Sequence, residues 1–462
     1  ITNGNSHEYH PGLINIVGDF AYSDREIDCI LYRRNTFAAV AAISHVFNEL
    51  VNTFNINYKQ AIQRGRYIKA LAQLQDTGIP IDYHRYMQLP NKQQVVDYYS
   101  DQFDVFSGTS IDRQKLIKHC EQEGIDTQPM SFMSELVKAK ELKKLITNHP
   151  QLEDLYHISC LLQTSSNKLL ATNPNTYRNT CDLVPFGTTT GRNNPRRSEF
   201  IYGQPKWMHS FIKPSSGTSL AYIDWNQQEF GIAAALSVDK NMMFAYKSGD
   251  PYIRFAIDIA ALPSDATRRN YSIEREHYKN ALLAIQYGIG PDALGSLLNI
   301  PSFKAELLIK QFQSCYPEYT RWCFHQINQA RFSGEIRTPF GWNRKINPDT
   351  RDNSIKNYPI QAYAAELMRQ ATCLLVDSGI QVCTSVHDAF LIESSITDIN
   401  RDIDKAKQLM AQASREALSG FELTSDTEIV SYPNRFSNDE HERIWKAAPL
   451  VTRRPHNEKY DY

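Results

Sequence analysis

With 462 residues and 42% hydrophobic content, the chain can bury a sizeable core and is long for one compact domain, so about two to four lobes are expected. Fifty Lys and Arg balance 51 Asp and Glu to a formal net charge of −1, which removes the overall basic excess common in nucleic-acid-binding proteins. A local basic channel beside an acidic site remains compatible with that total. No apolar run approaches the roughly 18 residues of a membrane span, no signal peptide opens the chain, and no membrane partner is expected. The eight cysteines form no CxxC pair and no Cys/His cluster at zinc spacing; they read as buried thiols of a reducing, cytoplasmic or other intracellular compartment. The first residue is Ile1 rather than Met, which suggests a fragment or a processed product.

Residues 1–60 carry apolar side chains at three- and four-residue spacing and are predicted helical. From Tyr67 the chain YIKALAQLQDTGIPID reads as a helix stopped by Gly78 and Pro80. Between Gln88 and Asn179 the pattern is polar and helical, with LVKAKELKKLITNHPQLEDLYHISCLLQ as its clearest amphipathic run. A loop follows with the segment TTTGR, Thr188 to Arg192, whose small hydroxyl residues, glycine and arginine suit a close approach to a sugar–phosphate backbone. Ser219 to Asp224, SLAYID, reads as a buried strand ending in an acid, after which DWNQQEFGIAAALS turns helical.

Within the helical segment that follows, Ser272 to Gly290 places Arg275, Lys279, Leu283 and Tyr287 at i, i+4, i+8 and i+12, a stripe about 18 Å long with two cations at one end and a ring at the other. Taken alone, that stripe also suits a basic amphipathic surface helix. TPFGWNR, Thr338 to Arg344, has the Pro and Gly of a tight turn. A long helix is predicted from Asn353, with Asn357 and Gln361 one turn apart. Their amides suit minor-groove recognition or a simple helix-surface hydrogen bond. Val382 to Ile392 reads as a β-hairpin with His387 and Asp388 at its tip, residues 400–420 as a packing helix, and the tail from Lys446 as polar and mobile. A buried acid needs a cation or hydrogen bonds, so Asp224 is either a helix cap or a metal ligand, and His387–Asp388 either a structural turn or a catalytic pair.

In order and spacing these pieces, TTTGR, DWNQQE, REHYKNALLAIQYG, TPFGWNR, NYPIQAYAAEL and VHD, resemble the family A (polymerase I-like) DNA polymerases. The resemblance covers the chain from about residue 60 to its end. It implies an α+β right-hand fold with an antiparallel palm sheet and mainly helical thumb and fingers. The implied boundaries are 61–87 for the start of the polymerase unit, 88–185 thumb, 186–231 palm, 232–337 fingers and 338–462 palm and C-terminal tail. Residues 1–60 would be the remnant of a 3′–5′ exonuclease domain, with Phe20 and Asp24 loosely resembling its last metal-binding element.

The activity implied is template-directed extension of a primer 3′-hydroxyl by deoxynucleoside triphosphates. Two Mg²⁺ ions would be held by Asp224 and Asp388, with Lys279 the third catalytic residue. Arg275, Lys279, Leu283, Tyr287, Gln228 and Glu229 would line the nucleotide site, Glu229 filling the space of a ribose 2′-hydroxyl. Arg192, Asn357, Gln361, His387 and Tyr287 would meet primer-template DNA. A monomer is expected, with replication accessory proteins as further partners. Three positions depart from the family pattern: Leu283 stands where an aromatic is usual, Ala389 where an acid is common, and SEFIYGQPKW follows the arginine loop. They mark a divergent version, for which a phage or other mobile element is a fitting source. A single-subunit RNA polymerase, a catalytically silent DNA-binding relative and a nuclease stay open as alternatives; Glu229, the retained Asp224, Lys279 and Asp388, and the incomplete set of nuclease acids weigh against each in turn.

Overall fold

The computed structural model describes residues 58–125, 137–164, 170–173 and 175–449. The chain divides after Ile68 into two units, and of the first only residues 58–68 are described. The expectations for the N-terminal segment, for Phe20 and Asp24, and for most of the polar tail therefore lie outside the described residues.

Helix α1 (Tyr58–Thr77) ends where the glycine was expected to stop it, with Gly78 at φ +62° donating its N–H to the Leu74 carbonyl at 2.9 Å. Short helices α2 (Tyr83–Met87) and α3 (Lys92–Tyr99) follow, the latter opened by a capping box between Asn91 and Gln94. A small ribbon, β1 (Phe106–Ser107) with β2 (Ser110–Ile111), precedes α4 (Arg113–Gln122).

The run expected to be one amphipathic stretch is two helices, α5 (Ala139–Leu145) and α6 (Glu153–Leu162), separated by a turn and a short 3-10 segment that Pro150 opens. Nor is α6 amphipathic: every residue from Leu155 to Leu162 is buried, His157 and Ser159 included. The described residues between 170 and 217 form no α-helix or long strand, and one buried amide links three of their segments. The Asn179 side chain donates to the carbonyls of Ala171 and Glu199, both at 2.8 Å, and accepts from the Ile201 N–H at 2.9 Å.

The central sheet has four antiparallel strands in the order β6 (Val382–Val386), β7 (Ala389–Ser395), β3 (Thr218–Trp225), β8 (Ser425–Ser431). On β3, Ala221, Ile223 and Trp225 enter the main core with Phe390 and Ile392 of β7. The two-residue alternation of a strand then turns Tyr222 and Asp224 to the opposite face.

Between β3 and β6 run α7 (Gln228–Ser237), α8 (Lys240–Lys247), α9 (Pro251–Asp258), α10 (Ser272–Tyr287), α11 (Pro291–Leu298), α12 (Ser302–Cys315) and α13 (Pro317–Ser333). The ribbon β4 (Glu335–Arg337) and β5 (Asn343–Lys345) then leads into α14 (Asp352–Asp377). After the β6–β7 hairpin, α15 (Ile399–Ala417) lies across β3, β7 and β8 and packs along α14; Ile403, Ala406, Met410, Ala413 and Ala417 form its buried stripe. The last described helix is α16 (Asp439–Lys446). Among the described residues no helix is long and apolar enough to cross a membrane.

Candidate active site

Two strands deliver the acids. Asp224 stands in register with Ala389 of β7 on one side and Asp426 of β8 on the other. Asp388 closes the two-residue turn between β6 and β7, its carbonyl accepting the Trp225 N–H at 3.2 Å, while the preceding His387 is exposed at φ +50°. The Asp224 and Asp388 carboxyls are both half-buried, and Asp224 Oδ1 is shielded from solvent without a hydrogen-bond partner.

Burial pushes the Asp224 carboxyl up, and the charges of Asp388 and then Asp426 push it further. Burial also raises Asp388, but its hydrogen bonding with Asp224 and the neighbouring His387 and Arg192 restrain the rise. The Tyr222 hydroxyl on the same face is raised by burial first and by Asp224 and Asp388 next. Such a pair favours a proton or a cation, and hard carboxylate oxygens are the donors that Mg²⁺ prefers. Among the described residues no group of three or more His, Cys, Asp or Glu is placed to hold a metal by itself.

These acids form one wall of a cleft of about 400 Å³, to which α7 and α10 contribute most of the other lining side chains named from the sequence. Seven of the expected site residues line it together: Asp224, Gln228, Glu229, Arg275, Lys279, Leu283 and Asp388. Gln228 is 3% exposed and its Nε2 is buried without a partner. The cations of α10 are engaged rather than free. Arg275 is 8% exposed, its Nε donating to Asp250 and its guanidinium lying 5.4 Å from the centre of the Tyr252 ring. Lys279 Nζ lies 3.3 Å from the Glu276 carboxylate.

At the far end of the stripe, Tyr287 donates its hydroxyl to Glu229 Oε2 at 2.5 Å, and Arg192 Nη2 donates to Glu229 Oε1 at 3.1 Å. Burial raises the Tyr287 hydroxyl to about 12, and the Glu229 carboxylate contributes. Gln361 reaches the same hydroxyl. Asn357 is 8% exposed and donates to the carbonyls of Tyr287 at 3.3 Å and Asn353 at 2.9 Å, so its amide binds its own protein rather than Gln361.

Asp426, Arg268 and Tyr252 also line the cleft, and sequence reasoning did not single them out. Asp426 lies in SDTEIVS, an edge strand that opens with four consecutive polar residues, so one acid among them does not stand out. Asp250 had one local signal, a helix cap followed by Pro251, but its bond to Arg275 spans 25 residues and leaves no mark in the sequence.

A model of DNA polymerase family A matches residues 88–428. A thermostable DNA polymerase I of Thermus caldophilus is 26% identical over 261 residues, covering 52% of this chain and 31% of that protein. A DNA polymerase of Mycobacterium phage D29 is 28% identical over 208 residues, covering 44% of this chain and 33% of the phage protein. The matched segments thus span about a third of these relatives' lengths.

Among solved structures, the polymerase domain of Pol1 from M. smegmatis, in complex with DNA primer-template and dNTP, superposes with a TM-score of 0.60 at 17% identity. The match covers 83% of this chain and 70% of that one. That likeness establishes the fold: a right hand with an antiparallel palm sheet and mainly helical thumb and fingers. With the family model running through all six motifs from TTTGR to the β6–β7 turn, the chain belongs to DNA polymerase family A.

Proposed function

We propose that this chain is a template-directed DNA polymerase that extends a primer 3′-hydroxyl with deoxynucleoside triphosphates and releases pyrophosphate. The observation that carries the proposal is the cleft in which Asp224 of β3 and Asp388 of the β6–β7 turn share the lining with Arg275 and Lys279 of α10. Phosphoryl transfer needs little covalent help from a protein; it needs positioned charge on both sides of the reacting phosphate. The boundaries read from the sequence are retained, with residues 88–185 as thumb, 186–231 and 338–462 as palm, and 232–337 as fingers.

Asp224 and Asp388 would hold two Mg²⁺ ions, which supply activation of the 3′-hydroxyl and neutralisation of charge on the leaving pyrophosphate when bound. The buried, unpartnered Asp224 Oδ1 and the raised carboxyl pair fit that role. Arg275 and Lys279 take the β- and γ-phosphates, exchanging part of their contact with Asp250 and Glu276 for the stronger charge of the nucleotide. Leu283 forms an apolar wall beside the sugar and base. Glu229, held by Arg192 and Tyr287, excludes a 2′-hydroxyl and so selects deoxynucleotides. Arg192, His387, Tyr287, Asn357 and Gln361 meet the primer-template, the last two after releasing contacts made around Tyr287. The enzyme acts inside the cell as a monomer, with replication accessory proteins as its other partners.

The test is Mg²⁺-dependent extension of a labelled primer, comparing deoxy- with ribonucleotides, for this chain and Asp388→Asn. Deoxynucleotide extension that the substitution reduces by at least about a thousandfold is expected. A folded chain that binds primer-template but adds no nucleotide would replace the proposal with a silent DNA-binding relative.

A further inference from the structure

Below the arginine loop lies a buried ion pair that no step so far has used. Glu366 and Arg369 sit three residues apart on α14, with side chains 7% and 3% exposed. Arg369 donates from Nε at 2.9 Å and from Nη2 at 2.5 Å to the same Glu366 oxygen, and from Nη1 to the Gly191 carbonyl at 2.6 Å. Its guanidinium lies 4.8 Å from the Trp342 ring centre and 5.7 Å from that of Phe186. The approach is close enough that Gly191, at φ +76°, could carry no side chain: a Cβ there would fall 2.8 Å from the Trp342 ring. One guanidinium thereby joins three segments distant in sequence: α14, the β4–β5 turn, and the loop that ends in Arg192.

Two charges withdrawn from water are a costly way to fasten a loop for stability alone, since apolar side chains of equal volume often do as well. What the pair adds is direction. With Nε and Nη2 forked on Glu366, the rigid guanidinium presents Nη1 to the Gly191 carbonyl in one orientation. The next residue is Arg192, whose backbone N–H is held by Thr188 Oγ1 at 2.9 Å and whose Nη2 meets Glu229 at 3.1 Å.

We propose that Glu366 and Arg369 are positioning residues for Arg192 and, through it, for the Glu229 carboxylate that bars a ribose; this rests on the polymerase reading above. Loosening the fork loosens Arg192, the Glu229 carboxylate is left with its Tyr287 contact, and ribonucleotides gain entry.

The experiment measures kcat/KM for ribo- and deoxynucleotides on one primer-template, together with Tm. The chains compared are the unaltered protein, the double variant Glu366→Met/Arg369→Met, Arg369→Lys, Arg192→Ala, and the double variant combined with Arg192→Ala. Methionines at both positions remove the charges without leaving either one buried and unpaired. The expected result is a rise of roughly tenfold in the ribo-to-deoxy ratio for the double variant, a smaller rise for Arg369→Lys, and no further rise on the Arg192→Ala background. A merely structural role would lower Tm and both activities together and leave the ratio alone, and that result overturns the proposal. So does a rise that persists in full on the Arg192→Ala background. Should the double variant not fold, an unchanged ratio in Arg369→Lys overturns it equally. No extension by the unaltered chain defeats the polymerase reading and this inference with it.

Discussion

Glu229 is fixed from three directions, by Arg192 and Tyr287 on its carboxylate and by Gln286, whose amide donates to its backbone carbonyl at 3.1 Å. A carboxylate so held excludes by position, and a small side chain in its place leaves room for an extra hydroxyl. Glu229→Ala is therefore expected to raise the ribo-to-deoxy ratio of kcat/KM by at least about tenfold, read by single-nucleotide addition to a primer. An unchanged ratio would move the selection elsewhere in the cleft.

Asp224, Asp388, Arg275 and Lys279 were singled out by six motifs in one order, because cations at helical spacing and a His–Asp turn taken alone equally suit a surface helix and a structural turn. Their pairing was not legible. That Arg275 spends its Nε on Asp250, and Asn357 its amide on Tyr287, depends on how α9, α10 and α14 meet, which no local window contains.

Among the elements, α10 and α15 were readable from period, since each has one face in the core and one outside it, whereas the β6–β7 hairpin, buried on both faces, was readable as two apolar runs around a polar pair. The α5–α6 stretch misled for the same reason in reverse. Its spacing is helical throughout, yet α6 is enclosed on all sides, and period does not register burial of the polar face. The stripe of α15 carries a stability prediction. Met410 is fully buried between the sheet and α14, so Met410→Ala should cost about 2–4 kcal/mol, the usual range for truncating a large apolar side chain in a core. A shift of the urea midpoint with an unaltered slope would show it. A loss below about 1 kcal/mol would mean that the site collapses around the smaller residue.

For the molecule as a whole, near-neutral charge conceals groups that the fold holds away from their ordinary titration. Burial, with help from His441 and Lys206, pushes His209 down to about 4. In the unfolded chain the same ring takes up a proton near pH 6.5. Between these values the unfolded state binds more protons, so stability falls as the pH drops from about 6.5 to about 4 and gains nothing above that window.

Glu393 works in the same direction at lower pH. Burial opposes its ionisation, but Arg178 and the hydroxyls of Thr218 and Ser215 outweigh it and hold the carboxyl below its usual value. Its contribution is lost as the pH falls through that lowered value. Urea midpoints at pH 7 and pH 5 should therefore differ for the unaltered protein and differ less for His209→Gln; equal differences would assign the acid sensitivity to other groups.

The β6–β7 turn sets a limit of another kind on the site. Val386 pairs with Ala389, so only His387 and Asp388 span the reversal, and β7 then runs in register along β3 for seven residues. In a strand, one added residue exchanges inward and outward faces. The second acid owes its place to a count as much as to a chemistry. A turn lengthened by one residue would keep every residue type and still move Asp388 from its place beside Trp225.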